Sequence, residues 1–313
     1  MKLSLVVPCY NEAENVAAFQ QEAIRAFSDC EYDFEIVYVD DGSKDATLHE
    51  LRKLYKKQLC PVKVVSFSRN FGKEAGLYAG LKHCSGEYIS LIDADLQQRP
   101  EIVREMVKIL DEQPEYDVVA AYQDRRGESK LLSFFKKSFY KVINGLSDIN
   151  LKSDASDFRT FRRSVADSIV TLGEYHRFSK GIFAWVGYNT CFIPYTACAR
   201  VAGTTKWNFR KLFNYAIDGI IGHSTKPLRI ATFLGSMTAV SAFLYLLFVV
   251  LQKLIWGIDI PGYATIIVLI LLLGGIQLFC IGIIGEYVGR TFEQSKNRPI
   301  YIAKEVLNYE DIP

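Results

Sequence analysis

Two aspartates follow directly on a short apolar run in the stretch SLIDADLQQRP, from Ser90 to Pro100. Asp93 and Asp95 fall where a buried strand should end, and two carboxylates this close repel each other unless a cation or a polar network compensates them. Carboxylates at positions i and i+2 offer the oxygen ligands that Mg²⁺ and Mn²⁺ prefer. The pair therefore suits a divalent cation that accompanies a diphosphate, provided that other polar residues converge on it.

The elements that must position this pair alternate between strands and helices. Helical periodicity is found from Glu14 to Phe27 and from Ala46 to Leu54, between the apolar runs LSLVV (3–7), FEIVYV (34–39), VKVVSF (62–67), YISLI (88–92) and DVVAA (117–121). This alternation predicts an α/β fold with a mostly parallel sheet. Ligands of such sheets bind beyond the carboxyl ends of the strands, which here carry PCYNE, DDGSKD, SRNFGKEAG and DADLQ. Four polar strand ends together indicate a metal–diphosphate site.

Taken singly, these segments have simpler interpretations. DDGS is a common turn sequence, because Asp and Gly favour turn geometry. NFGK resembles part of a phosphate loop but lacks the GxxxxGK[ST] spacing, which argues against a nucleoside-triphosphate hydrolase. Only the combination of the four segments favours the metal–diphosphate interpretation.

The composition argues against several classes of protein. With 37 basic and 35 acidic residues, no overall field favours nucleic acid. The seven cysteines show no CxxC pair or zinc-like spacing, and an odd number fits a reducing compartment. The N-terminal MKLSLVVPCYNE has too short an apolar run for a signal peptide. We therefore expect no nucleic-acid partner, no disulfide framework and no secretory export.

Two long uncharged stretches follow, at residues 230–251 and 260–285. Each is long enough to span a bilayer, which takes roughly 20 apolar residues. A buried helical hairpin of a soluble protein is the alternative interpretation, and two such stretches in succession disfavour it. The connecting QKLIWGID carries one lysine, whereas the segments outside the pair carry many basic residues. This bias predicts an integral protein of the cytoplasmic membrane with both termini in the cytoplasm.

The motifs VVPCYNEAEN, VYVDDGSKDAT, SRNFGKEAGLYAGL and IDADLQQRPE, in this order, resemble the family 2 glycosyltransferases of the GT-A fold. The later segments SDFRTFRR (156–163), RVAGTTKWNFRKL (200–212) and GEYVGRTFEQSKNRPIYI (285–302) are similar to the polyisoprenyl-phosphate glycosyltransferases within that family. These are the bactoprenol glucosyltransferases and the dolichol-phosphate mannose synthases. The resemblance covers essentially the whole chain and implies a nucleotide-diphospho-sugar transferase domain.

The resemblance also implies roles for individual residues. Near the nucleotide it places Pro8, Tyr10, Glu12, Asp40, Asp41, Lys73, Asp93 and Ala94. It implies that Asp93, Asp95 and Gln97 hold Mg²⁺ or Mn²⁺ with the diphosphate, and that Asp157 lies beside the acceptor. The alternative for Asp157 is a helix N-cap beside FRTFRR. One departure is Gln98 with Arg99, where the family often has His-Pro or Pro-Pro.

The chemistry implied is a single inverting transfer of a sugar, glucose as first choice, from a UDP-sugar to undecaprenyl or another polyprenyl phosphate. Asp95, through the cation, and basic side chains such as Arg200 and Lys206 would stabilise the departing diphosphate. A lipid phosphate, with a second pKa of about 6, is already a nucleophile at neutral pH, so a strong general base is less necessary.

The lipid acceptor accounts for two amphipathic segments, near residues 130–147 and 207–223, which we expect to be interfacial helices. The alternative for the first is a core-facing helix with a solvated basic side. We expect a cytoplasmic catalytic domain over 1–228, a two-helix anchor over 229–288 and a cytoplasmic tail over 289–313. Glycines in the second apolar stretch favour close helix packing and a homo-oligomer; they are Gly274, Gly275, Gly282 and Gly285.

Other functions stay open at this point. N-acetylglucosamine, mannose or aminoarabinose could replace glucose, because a few pocket contacts decide the sugar. A membrane-bound nucleotide-sugar binder without turnover is a second class, although it would not need an acceptor side. A processive polysaccharide synthase normally has more spanning helices and a QxxRW motif, and only TTKW (204–207) stands near that place.

Overall fold

The computed structural model describes residues 2–30, 32–123, 145, 155–196, 198, 221–222, 224–256 and 262–311. Arg200 and Lys206 lie outside the described residues, as do the expected interfacial helices near 130–147 and 207–223 apart from three single positions.

A single mixed sheet organises the described part of the catalytic region. Its strands are β1 (Lys2–Cys9), β2 (Asp33–Asp40), β3 (Val62–Phe67), β4 (Tyr88–Leu91), β5 (Val118–Gln123), β6 (Ala155–Arg162), β7 (Thr190–Tyr195) and β8 (Ala303–Leu307). Their order is β7-β5-β6-β4-β1-β2-β3-β8. The strands β1 to β4 are parallel to one another, whereas β6 and β8 run antiparallel to their neighbours. The predicted α/β fold with a mostly parallel sheet is confirmed.

Helices cover both faces of this sheet: α1 (Val16–Phe27), α2 (Thr47–Lys57), α3 (Lys73–His83), α4 (Pro100–Glu112), α5 (Arg163–Thr171) and α6 (Ser179–Val186). Alternate residues of β1 point to opposite faces. Leu5 and Val7 join the core under α1, α2 and α4, while Val6 joins the core under α3, α5 and α6. Because both faces are buried, the central strands are continuous apolar runs rather than alternating ones.

The C-terminal segment, expected only as a tail, adds β8 to the edge of the sheet. Its residues pair antiparallel with β3, with Val306 opposite Val65. Just before β8, the ring of Tyr301 stacks on Phe67 with 4.9 Å between centroids. The chain therefore returns to the catalytic domain after its apolar helices.

Two long helices, α7 (Lys226–Trp256) and α8 (Tyr263–Ser295), form a hairpin that is long and apolar enough to cross a membrane. Tyr287 Oη donates to the carbonyl of Ser224 at 2.7 Å, so the start of α7 lies beside the later part of α8. Large apolar side chains point outward, and Leu271, for example, is 70% exposed. A hairpin buried in a soluble core would hide such side chains, so this alternative is wrong.

Candidate active site

The carboxyl end of β2 supplies two buried aspartates. Asp40 accepts hydrogen bonds from Ser66 Oγ at 2.9 Å and from Ser43 N at 3.1 Å. Asp41 accepts from the backbone N–H groups of Phe71 and Gly72 at 2.6 and 2.9 Å. Burial raises the pKa of Asp41, and these two hydrogen bonds oppose the rise. Asp41 thus stabilises the loop that leads into α3.

The loop after β1 interlocks with the loop after β2. Asn11, in the left-handed region at φ 55°, accepts from Lys44 N at 2.9 Å, and Glu12 N donates to Thr47 Oγ1 at 2.8 Å. Gly42 has φ 61°, and a Cβ there would lie 2.4 Å from the carbonyl carbon of Arg69. Glycine is therefore required where the loop after β2 passes the loop after β3. Pro8, the penultimate residue of β1, pairs with Val39, and the half-buried Tyr10 follows the strand.

The DADLQ segment forms a tight loop at the end of β4. Asp95 Oδ1 accepts from Gln97 N at 3.2 Å, and Ala94 between the aspartates is buried. Leu96 has φ 57°, which is strained for a branched side chain and costs on the order of 1 kcal/mol. Strain of this kind persists where the surrounding structure enforces it, and here it allows the turn that brings Gln97 N to Asp95.

Lys73 joins two carboxylates, one in the loop after β4 and one in β6. Its Nζ lies 2.7 Å from Asp93 Oδ1 and 3.5 Å from Asp157 Oδ2. Asp157 belongs to β6, the antiparallel neighbour of β4, and β6 ends before α5 begins at Arg163. The helix N-cap alternative for Asp157 is therefore wrong. The structure brings together one residue assigned to the donor side and one assigned to the acceptor side.

The charges around Asp157 keep its carboxylate ionised. Burial raises the pKa of Asp157, but Lys73, Lys180 and Arg159 outweigh it and hold the pKa below the ordinary value. Burial likewise lowers the pKa of Lys73, and Asp93 with Asp157 more than compensates, so the ammonium stays charged. Among the described residues, the buried Asp157 Oδ1 has no hydrogen-bond partner. A buried carboxylate oxygen of this kind can accept from a ligand.

Glu74 is a site residue that sequence reasoning missed. It accepts from Ser179 N at 3.0 Å and also from Ser179 Oγ, which fixes the start of α6. Burial, followed by the charge of Asp157, raises the pKa of Glu74 to about 7. The next residue of α6, Lys180, has its pKa lowered by burial, while Asp157 opposes the shift. An acidic residue in the first turn of a helix is common, so Glu74 carries no distinct sequence signal.

Of the predicted site residues, Lys73, Asp93 and Asp157 lie in direct contact. The other described residues predicted for the site are distributed over the strand ends and loops given above: Pro8, Tyr10, Glu12, Asp40, Asp41, Ala94, Asp95 and Gln97. Arg200 and Lys206 are not among the described residues. The segment preceding them does reach the DADLQ loop, because Cys198 N donates to the carbonyl of Gln97 at 3.2 Å.

Comparison with known families decides the class of enzyme. Residues 4–170 match the family described as Glycosyl transferase family 2, and residues 226–291 match the GtrB C-terminal hairpin. The chain belongs to glycosyltransferase family 2. The predicted GT-A domain and the transferase class are thereby confirmed, and the hairpin match coincides with α7 and α8.

Relatives of this family 2 glycosyltransferase are similar over nearly their whole length. An uncharacterized glycosyltransferase from Synechocystis is 41% identical, covering 100% of this chain and 98% of its relative. The prophage bactoprenol glucosyl transferase homolog of Escherichia coli is 41% identical, with 98% and 99% covered. The bactoprenol glucosyl transferase of Shigella phage SfV is 40% identical, with 97% and 98% covered.

Solved structures are more distant from this family 2 glycosyltransferase. A glucosyl-3-phosphoglycerate synthase from Mycobacterium tuberculosis is 19% identical and has a TM-score of 0.48, covering 70% of this chain and 76% of the other. No functional conclusion follows from a similarity of this size.

Proposed function

We propose that this glycosyltransferase moves a single glucose, with inversion, from UDP-glucose to undecaprenyl or another polyprenyl phosphate at the cytoplasmic face of the membrane. The bridge from Asp93 through Lys73 to Asp157 is the observation that carries the proposal, because it sets a donor side against an acceptor side. Full-length similarity of about 40% identity to bactoprenol glucosyl transferases supports the lipid acceptor and the sugar.

The donor set of the DADLQ loop fits a hard divalent cation. Asp93 and Asp95 offer carboxylate oxygens, and Gln97 offers an amide oxygen. The described residues contain no group of three His, Cys, Asp or Glu placed for a metal ion. In this proposal the diphosphate and water would complete the coordination. Bound to these residues, Mg²⁺ or Mn²⁺ would neutralise charge that develops on the leaving diphosphate.

The chain's own residues orient the two substrates. Pro8, Tyr10, Glu12 and Asp40 surround the nucleoside in this proposal. Asp157 stays ionised at neutral pH, and its Oδ1, which has no hydrogen-bond partner among the described residues, would accept a hydrogen bond from a sugar hydroxyl. Because the lipid phosphate already carries negative charge, Asp157 acts by positioning and need not remove a proton.

One displacement completes the transfer. A phosphate oxygen of the lipid forms the bond to the anomeric carbon, and the bond from that carbon to the diphosphate breaks with its electron pair going to the diphosphate. Arg200 and Lys206 are proposed to stabilise the leaving group. Attack from the opposite face converts an α-linked donor into a β-linked lipid phosphosugar.

The proposed topology places residues 1–228 and 289–313 in the cytoplasm and residues 229–288 in the membrane. The contact between Tyr287 and Ser224 supports a hairpin whose two outer ends lie on one side. Lys253 and Trp256 then lie near the opposite face, as the charge bias predicts. The segments near 130–147 and 207–223 would lie at the interface, and a homo-oligomer remains part of the proposal.

A transfer assay with purified protein tests the function. The protein is incubated with polyprenyl phosphate and UDP-glucose, UDP-N-acetylglucosamine, GDP-mannose or UDP-aminoarabinose, and the product's sugar, anomeric configuration and chain length are measured. We expect one β-linked glucose per lipid. An α-linked product or a polymer would contradict the mechanism, and nucleotide binding without turnover on any sugar would favour a binder.

Two variants test the assigned roles, and a third serves as their control. Asp95→Asn should remove nearly all transfer, and EDTA should reproduce the loss in the wild type. Asp157→Asn should slow transfer much more than it weakens nucleotide binding. Asp167→Asn, at a mostly exposed position on α5, is the matched control and should behave like the wild type. Full activity of Asp95→Asn in excess EDTA would exclude the metal role.

A further inference from the structure

Gln98 has a buried side chain, and none of the roles assigned above involves it. It is 6% exposed and directly follows the three residues proposed to hold the cation and diphosphate. A buried primary amide is costly unless hydrogen bonds satisfy it, so its partners define what it does.

The amide of Gln98 contacts both the backbone and the carboxylate of Asp93. Its Oε1 accepts from Asp93 N at 3.0 Å, and its Nε2 lies 3.4 Å from Asp93 Oδ2. The same Nε2 lies 3.5 Å from Ser156 Oγ, on the strand β6. Ser156 in turn accepts from Phe158 N at 3.2 Å, which fixes its hydroxyl beside Asp157. One side chain therefore links the DADLQ loop to the strand of the acceptor side.

The carboxylate of Asp93 is consequently held from two directions. Lys73 approaches Oδ1 at 2.7 Å and leads to Asp157, while Gln98 approaches Oδ2 and leads to Ser156. The contacts close into a ring that joins neighbouring residues 156 and 157 to Asp93. A ring of this kind restricts the rotation of the carboxylate and the distance between β6 and the loop.

We propose that Gln98 is a positioning residue: it orients the Asp93 carboxylate toward the cation–diphosphate group and fixes the DADLQ loop against Ser156, beside Asp157. The inference rests on the proposed function, since it assumes a nucleoside diphosphate with a divalent cation at Asp93. In this role Gln98 acts through Asp93 and Ser156 and need not touch either substrate. Its effect should therefore appear in metal-dependent nucleotide binding, whereas a residue that only stabilised the loop would affect binding with and without metal alike.

Calorimetric titration of UDP into the full-length protein, with Mg²⁺ and separately with EDTA, tests this role. Gln98→Met keeps a similar volume and removes the amide contacts. We expect UDP affinity to fall by about tenfold with Mg²⁺, as for a hydrogen bond to a charged group, and to stay within about twofold with EDTA. Gln113→Met, at the exposed end of α4, is the control and should match the wild type in both titrations.

Ser156→Ala keeps both contacts of Gln98 with Asp93 and removes the link to β6 together with the hydrogen bond from Phe158 N, so it repeats the test if Gln98→Met does not fold. We expect Ser156→Ala to lose less UDP affinity than Gln98→Met, and only with Mg²⁺. In the double variant of Gln98→Met and Ser156→Ala, the affinity should fall by less than the product of the two single fold-changes. Unchanged affinity in both single variants, or an equal loss with Mg²⁺ and EDTA, would overturn the positioning role while leaving the proposed function intact. If the wild type itself bound no UDP, the proposed function would fail together with the inference.

Discussion

Replacing Lys73 by methionine should disturb the donor and acceptor sides of the site together. The substitution keeps most of the aliphatic side chain but removes the charge between Asp93 and Asp157. Without the ammonium, the two carboxylates face each other with less compensation. Because Lys73 lowers the pKa of Asp157 in the wild type, its loss should raise that pKa.

The magnitude follows from the two distances. At an effective dielectric constant of about 20, ion pairs at 2.7 and 3.5 Å correspond to gross energies of about 6 and 5 kcal/mol. The Lys73 side chain is 43% exposed, so solvent screens both pairs and desolvation offsets part of the rest. A net effect of about 1 to 3 kcal/mol remains, which corresponds to roughly 5- to 150-fold in an equilibrium or rate constant.

Two measurements check this expectation: the pH dependence of kcat/KM and thermal unfolding with and without Mg²⁺ and UDP. The acidic limb of the pH profile should move to higher pH in Lys73→Met, since the role proposed for Asp157 requires its ionised carboxylate. Mg²⁺ with UDP should stabilise the variant more than the wild type, because the cation replaces lost positive charge. Lys82→Met, on the exposed side of α3, is the control. An acidic limb that stays at the wild-type pH would refute the electrostatic argument.

Three further predictions concern stability and topology. Burial raises the pKa of Glu35, but hydrogen bonds from Ser4 and Ser85 outweigh it and lower the pKa to about 2. The contribution of this carboxylate to the free energy of unfolding is full above the unfolded pKa of about 4.3 and is lost as pH falls toward 2. Glu35→Gln should therefore lower the free energy of unfolding by about 3 kcal/mol at neutral pH and by much less in acid. Denaturant unfolding at both pH values measures this difference. Gly80→Ala places a Cβ 2.2 Å from Val6 Cγ1 and should destabilise by about 1 to 3 kcal/mol, with partial recovery in Val6→Ala. A cysteine at Trp256, but not one at Asn308, should react with an impermeant reagent on intact cells; the reverse pattern would invert the topology.

The central strands and the residues at their ends could be predicted from the sequence. β1 to β5 were recognisable because burial on both faces makes them continuous apolar runs. Parallel topology then brings the carboxyl ends of β1 to β4 to one edge of the sheet. For this reason Asp40 and Asp93 could be assigned to one site from the sequence alone. β8 escaped prediction because AKEVL is an edge strand with mostly exposed side chains and no apolar run.

Residues whose role depends on distant partners could not be found in this way. Glu74 acts on Ser179, 105 positions away, and Gln98 reaches Ser156, 58 positions away. Neither pair has a local pattern, because the contact exists only after β6 and α6 have packed beside α3 and β4. The sequence motifs therefore indicated the carboxylates of the site. The residues that hydrogen-bond to them are known only from the tertiary packing.

The helix α8 does not stop where its uncharged stretch ends at Gly285 but continues to Ser295. Along this extension Glu293 pairs with His176, and Gln294 Nε2 donates to the carbonyl of Gly173 at 3.0 Å. The extension up to Glu293 measures about 12 Å at the rise of an α-helix. In the proposed topology, the length of this extension sets the height of the catalytic cleft above the bilayer. Lengthening the extension by one helical turn would move its contacts with His176 and Gly173 about 5 Å further from the bilayer. The sugar donor would then lie too far from the phosphate of the lipid acceptor.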